Sequence, residues 1–250
     1  MTDMADRVAL VTGAGGGIGT AICGKLQTEG VQVVATDVDE AALANLAKNC
    51  RLLGTQRLDV TQPGDWQAVM QVLQDSPGEL DILVNNAGIA QLGDVEDTTY
   101  ETWQEIQRVD LDSVFLGSQA ALPLLSKSAA GAIVNIASVS ALVAAHNTAA
   151  YGTAKAGVRH LTRSIALHCA RHGYPVRCNA VHPVFVDTAM LQNLTGGSDE
   201  MKDKMRRQIP MREFVTPDDV ANAVLFLASD KARMINGAEL AIDGGLSAGV

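Results

Sequence analysis

The 250-residue chain carries no block of like charges. Lys and Arg number 19 against 28 Asp and Glu, a formal net charge of -9, so no basic surface is available to grip nucleic acid or an anionic membrane. No apolar run approaches the roughly 20 residues that span a bilayer, and the opening MTDMADRVALVTG has acids where a secretory leader would be basic. A cytoplasmic protein with a small-molecule partner, no nucleic acid and no membrane is expected. Cysteines are few: Cys23, Cys50, Cys169 and Cys178 fall at irregular spacings without C-x-x-C, which excludes a zinc knuckle and a disulfide framework and predicts reduced, mostly buried thiols. His168 and His172 have helical i,i+4 spacing, but HCARH lacks the glutamate of H-E-x-x-H and no third ligand lies near, so no metal is expected.

What is present is a rhythm. Apolar, β-branched runs (RVALVT, VQVVATD, TQRLDV, LDILVNN, AIVNIAS, PVRCNAVHP) alternate with helix-patterned segments: one through Leu26, one near Ala41–Lys48, one from Pro63, a long one to Leu125, and one carrying Tyr151. Such β-α alternation over 250 residues predicts one α/β domain, 1–250, with a doubly wound parallel sheet and helices on both faces. In these sheets ligands bind beyond the carboxyl ends of the strands. The chemically unusual stretches all follow strands: GAGGGIG, the Asp of VVATD, NNAG, the Ser of NIAS, and HPVFVDT. Between Val186 and Pro217 the pattern loosens into glycines, charges and methionines, and residues 187–216 are read as a flap over the substrate, the alternative being two ordinary surface helices.

Gly13 to Gly19 follow the first strand and open a helix, the place where backbone N–H groups receive a pyrophosphate. A strict G-x-G-x-x-G does not fit; G-x-x-x-G-x-G through Gly13, Gly17 and Gly19 does. Asp37, at the end of the second strand, is placed to accept hydrogen bonds from an adenosine ribose and to repel a 2′-phosphate, pointing to NAD over NADP. Capping the next helix is its alternative task, for which Asp39 is equally placed. In AAYGTAKAG, a lone aromatic among small residues, Tyr151, precedes Lys155 by one helical turn. A cation on the same helix face favours the phenolate of a tyrosine whose ordinary pKa is about 10, and a tuned tyrosine does acid-base work.

Together, TGAGGGIG, LDV around Asp59, NNAG at Asn85–Gly88, Ser138 after VNIA, Tyr151-x-x-x-Lys155 and HPVFVDT resemble the short-chain dehydrogenase/reductase family over essentially the whole chain, closest in look to NAD-dependent secondary-alcohol and hydroxysteroid dehydrogenases. The resemblance implies a single-domain Rossmann-type fold and a homotetramer built on helices around Tyr100–Leu125 and Tyr151–His172 and on GAELAIDGGLSAGV. It implies Tyr151 as general acid/base, Lys155 as the group that lowers its pKa and holds the nicotinamide ribose, and Ser138 as the hydroxyl that orients the substrate oxygen. Cofactor contacts carry over to Gly13, Gly17, Ile18, Gly19, Asp37, Asp59, Val60, Asn86, Ala87, Val186 and Thr188, with Asn85 stitching central strands. Two positions depart from the family. Val184 stands in the usual glycine place after His182-Pro183, and RVDLDSVFLG offers Asp110 where an asparagine completes the site. Asp110 is expected to support Lys155, raising the lysine pKa and opposing ionisation of Tyr151.

A 3-ketoacyl reductase on carrier protein or coenzyme A is the enzymatic alternative, disfavoured by Asp37, by Gly15 and Gly16 where such enzymes commonly hold a basic residue, and by the net charge. A non-catalytic dinucleotide sensor is the alternative of another class, disfavoured by retention of Ser138, Tyr151 and Lys155. Ala141, Leu142, Val143, the loop after Asn147, Phe185 and Met190 predict an apolar substrate pocket, with His146 and Gln91 as polar contributors.

Overall fold

The computed structural model describes residues 4–249; residues 1–3 and 250, which the single-domain expectation also spans, lie outside the described residues. Seven strands form one parallel sheet in the order β3-β2-β1-β4-β5-β6-β7. They are β1 Val8–Thr12, β2 Gln32–Asp37, β3 Gly54–Arg57, β4 Ile82–Asn85, β5 Gly131–Ile136, β6 Val176–Pro183 and β7 Glu239–Ile242. The helices are α1 Gly17–Thr28, α2 Glu40–Asn49, α3 Pro63–Asp75, α4 Tyr100–Gln107, α5 Ser113–Leu125, α6 Ala149–Arg171, α7 Ala189–Thr195, α8 Asp199–Arg206 and α9 Pro217–Ala228.

The central strands are continuous apolar runs because both faces are covered: every residue of β1, β4 and β5 is buried. One face packs Ile22 and Leu26 of α1 with Val220, Val224 and Leu227 of α9. The other packs Trp66, Val69 and Leu73 of α3 with Leu124 and Leu125 of α5 and Ile165 and Cys169 of α6. Strand order reverses between β1 and β4, and the crevice outside such a reversal is where open sheets bind ligands.

Asn85 and Asn135 are paired neighbours on β4 and β5. Asn85 Nδ2 donates to Asn135 Oδ1 at 2.8 Å, and Asn135 Nδ2 donates to Thr162 Oγ1 of α6 at 2.9 Å. Asn85 therefore stitches strands, and burial makes every lost partner in that chain costly.

Four elements, α7, α8, α9 and β7, lie outside the strand-helix rhythm, and one predicted helix is broken. Residues 187–216, read as a flap with two surface helices as the alternative, hold α7 and α8, joined across Gly196 and Gly197, both at positive φ. Ser198 caps α8 by accepting from the Met201 N–H, Asp199 and Glu200 sit in its first turn, and Lys204 and Arg206 in its last, each complementing the helix dipole. α9 begins at a reciprocal capping box between Thr216 and Asp219 with Pro217 in its first turn, and β7 completes the sheet edge. The long helix predicted up to Leu125 is interrupted by a π-helical turn at Arg108–Asp112.

No described helix is long and apolar enough to cross a membrane. Cys23, Cys169 and Cys178 are buried and Cys50 half-buried, all as free thiols.

Candidate active site

The glycine turn is shaped by close backbone approach. Gly13 has φ +61°, and a Cβ there would lie 2.8 Å from Ala87 Cα. A Cβ at Gly19 would lie 2.2 Å from the Gly13 carbonyl oxygen, and one at Gly17 would lie 2.9 Å from Thr188 Cγ2, because the loop after β6 crosses the turn. Thr12 Oγ1 accepts from the Asn86 and Ala87 N–H groups at 3.0 Å each, and Asn86 Nδ2 donates to the carbonyls of Thr12 and Gly13. Asn86 thus clamps the end of β4 to the turn, a positioning task beyond the ribose contact that family resemblance implies.

The 12-residue helix α1 starts at Gly16, which gives no side-chain cap, and has no acid in its first turn. Its first N–H groups lack intrahelical acceptors and favour an anion. Asp37 is half-buried at the carboxyl end of β2: Oδ2 accepts from the Gly15 N–H at 2.9 Å and Oδ1 from the Asp39 N–H at 3.0 Å. Asp39, not Asp37, caps α2, accepting from the Ala41 and Ala42 N–H groups. Asp37 is left on the glycine turn, where its carboxylate keeps acceptor capacity for a ligand. Asp59 Oδ1 accepts from the amide and hydroxyl of Thr61, and the buried Val60 accepts at its carbonyl from Trp66 Nε1. These residues fit a dinucleotide: an open helix N-terminus for the pyrophosphate, with carboxylates at the ends of neighbouring strands.

From Ile18 to Leu246 a cavity of about 620 Å³ runs along the carboxyl edge of the sheet. Ile18, Asn86, Asp110, Ser138, Tyr151, Lys155, Val186 and Thr188 all line it. Gly13, Gly17, Gly19, Asp37, Asp59, Val60 and Ala87 lie outside its lining, on the same sheet edge or next to it. Of the expected substrate contacts, Gln91, Val143, His146, Thr148 after Asn147, Phe185 and Met190 line the cavity, while Ala141 and Leu142 do not.

Helix periodicity sets the inner end. Tyr151 and Lys155, one turn apart on α6, face the cavity together, with Lys155 Nζ 5.7 Å from the centre of the Tyr151 ring. Lys155 Nζ donates to the Ile136 carbonyl at 3.2 Å and lies 3.2 Å from Asp110 Oδ2. Asp110 is fully buried; its Oδ1 accepts from the Ile89 N–H at 2.8 Å. The π turn carries Asp110, and such turns often occur at functional sites. A Cβ at Gly88 would come within 3.3 Å of Lys155 Nζ and 3.5 Å of both Asp110 oxygens, so glycine lets the NNAG backbone lie against this ion pair.

The charges are coupled. Burial alone would pull the Lys155 ammonium down, but Asp110 and then Tyr151 more than offset it and hold the lysine above its ordinary range. Burial pushes the Tyr151 phenol up and Asp110 adds to that; Lys155 and a side-chain hydrogen bond with Ser138 pull it down without cancelling the rise. Burial also raises Asp110, against the pull of Lys155 and the Ile89 N–H. Asp110 thus acts upward on both the lysine and the phenol.

His182 has a place in this arrangement that HPVFVDT did not disclose. Fully buried, it points Nδ1 at the Ser138 carbonyl, 2.9 Å away, so Nδ1 carries a proton. Burial lowers its pKa and favours the neutral ring. An extended strand end before His-Pro was visible in the sequence; a contact across 44 residues was not. Val184 is buried, lines the cavity and is absent from the positive-φ residues, so its backbone has no need of the glycine usual in the family.

A family model described as enoyl-(acyl carrier protein) reductase matches residues 13–247. An NADP-dependent (R)-specific alcohol dehydrogenase from Lentilactobacillus kefiri is 36% identical, with 99% of this chain and 100% of that protein covered. A 3-beta-hydroxysteroid dehydrogenase from Comamonas testosteroni is 37% identical, covering 95% of this chain and 94% of its own. The ligand-free structure of an aldohexose dehydrogenase from Thermoplasma acidophilum superposes with a TM-score of 0.90 at 36% identity, covering 99% of this chain and 96% of that one. The chain belongs to the short-chain dehydrogenase/reductase family, whose members are oxidoreductases using nicotinamide dinucleotides.

Proposed function

We propose that this chain is an NAD-dependent oxidoreductase interconverting a secondary alcohol and a ketone on a hydrophobic, alicyclic or steroid-like substrate. The observation that carries this reading is the convergence of Ser138, Tyr151 and the Lys155–Asp110 pair on the inner end of one largely apolar cavity at the carboxyl edge of the sheet. A bound nicotinamide would supply the hydride acceptor for oxidation and the hydride donor for reduction. Tyr151, as phenolate, takes the hydroxyl proton of the alcohol and, as phenol, gives it back to the ketone oxygen. Ser138 donates a hydrogen bond to that oxygen as its charge develops, in a site where the surrounding dipoles are already placed. Lys155 supplies the positive charge that favours the phenolate, and Asp110 keeps that lysine protonated. The open N-terminus of α1 at Gly17, Ile18 and Gly19 holds the pyrophosphate, with Gly13 shaping the turn. Asp37 would hold the adenosine ribose, Asp59 and Val60 the adenine, Asn86 and Ala87 the riboses, and Val186 and Thr188 the carboxamide.

Acyl chains on a carrier protein fit less well, since a net charge of -9 repels an acidic carrier. The exposed Phe115 of α5 and Leu167 of α6 support the homotetramer implied by resemblance.

Cofactor choice rests on Asp37, and the L. kefiri relative named for NADP makes it the sharper question. In steady-state assays at 340 nm with a panel of secondary alcohols, the wild type is expected to use NAD with a kcat/KM well above that for NADP. Asp37→Ala is expected to weaken NAD by about 1.5–3 kcal/mol, the range for a hydrogen bond to a charged group, and to narrow the preference. Equal use of NADP by the wild type would remove Asp37 as the discriminator.

A further inference from the structure

The face of α8 that borders the cavity carries a charge its neighbours do not neutralise. Met201, Lys204 and Met205 of α8 line the cavity at i, i+3 and i+4, the spacing of one helix face, and Gln208 joins them from the turn that follows. α8 has no buried residue, and Met201 and Lys204 are exposed where they border the cavity. Two cations line the cavity, Lys155 and Lys204. The first is 3.2 Å from Asp110, and that pair is neutral as a unit. Among the described residues, Lys204 has no carboxylate within salt-bridge distance, even on a chain with net charge -9; Asp203, its immediate neighbour, pairs with Arg206 instead. The remainder of the wall is mostly apolar, including Val143, Leu194 and Phe185.

We infer that the substrate is a hydroxy acid: a secondary alcohol whose carbinol lies at Ser138 and Tyr151 and whose carboxylate, across an apolar ring or short chain, is received by Lys204. This rests on the secondary-alcohol reading and narrows it. The methionines supply an adaptable apolar wall for the carbon skeleton, and the ammonium supplies the one free charge along it. A lysine in the last turn of a helix also complements the helix dipole, a role that would leave substrate choice untouched, so the test compares substrates and not enzyme amounts.

The probes are 3-hydroxycyclohexanecarboxylate, its neutral carboxamide, and cyclohexanol, each assayed with NAD. In the wild type the acid is expected to exceed the amide in kcat/KM by about fivefold or more, an advantage carried in KM and shrinking as salt is raised. In Lys204→Met the acid-to-amide ratio falls to about one, and in Lys204→Arg it is kept. A wild-type ratio at or below one, or a ratio unmoved by Lys204→Met, overturns the assignment of Lys204. If cyclohexanol and the amide are oxidised in either case, the secondary-alcohol reading stands without it; if none of the three is oxidised, the hydroxy-acid assignment falls, and the secondary-alcohol reading falls with it only when no other secondary alcohol reduces NAD.

Discussion

Tyr151→Phe lowers kcat by about 10²–10⁴-fold, the range contributed by a positioned general acid or base, while NAD binding is retained. The substitution keeps the half-buried ring in place beside Lys155 and removes only the ionisable oxygen. The ring's packing against α4 and Ala154 depends on carbon, so the variant should fold with wild-type cooperativity. Calorimetric or fluorescence titration with NAD separates the two quantities: an unchanged Kd with lost turnover is the expected pair. A near-normal kcat would take Tyr151 out of the chemistry.

The second large effect belongs to Asp110, and two substitutions separate its roles. Asp110→Ala strands the Lys155 ammonium, whose side chain is only 5% exposed, with the Ile136 carbonyl as its remaining acceptor, and deprives the Ile89 N–H of its partner. Removing one member of a buried ion pair costs about 3–5 kcal/mol, so the urea midpoint should fall markedly. Asp110→Asn keeps one carbonyl oxygen where the carboxylate had two, and these served Ile89 and Lys155 separately; it should fold with a smaller loss.

The sign of the pH effect follows from the charges. Asp110 raises the Tyr151 phenol, so replacing the carboxylate by an amide lowers it, and the Lys155 charge is then no longer offset. The rise of oxidative kcat/KM with pH should move to lower pH by on the order of one unit, within the range for a neighbouring charge. Because the groups titrate together, the shift belongs to the set and not to Tyr151 alone. A profile for Asp110→Asn that superimposes on wild type, with Asp110→Ala as stable as wild type, would remove Asp110 from the account.

What could be read from residues alone followed from local chemistry. Apolar runs such as VALVT and GAIVNI announce strands buried on both faces, and one helical turn between Tyr151 and Lys155 suffices to place them together. Asp110 was legible as a departure that would bear on Lys155, but the π turn that carries it was not, since it depends on packing against α6. The His182–Ser138 contact and the Asn86 clamp join strands far apart in the chain, and nothing local encodes them. α8 stood only as an alternative for another reason: its cap and charge pattern were present, but core-facing periodicity does not mark a helix that borders a cavity.

The central claim is hydride transfer between a secondary carbinol and a nicotinamide at this site. Cyclopentanol deuterated at the carbinol carbon, incubated with the wild-type protein and NAD, tests it when the reduced cofactor is isolated and its isotope content measured by mass spectrometry and NMR. The account predicts reduced nicotinamide carrying one deuterium at C4, cyclopentanone as co-product, and a primary isotope effect on kcat/KM when hydride transfer limits the rate. Failure to reduce NAD with this and every other secondary alcohol offered, or reduced cofactor without the label, would contradict it.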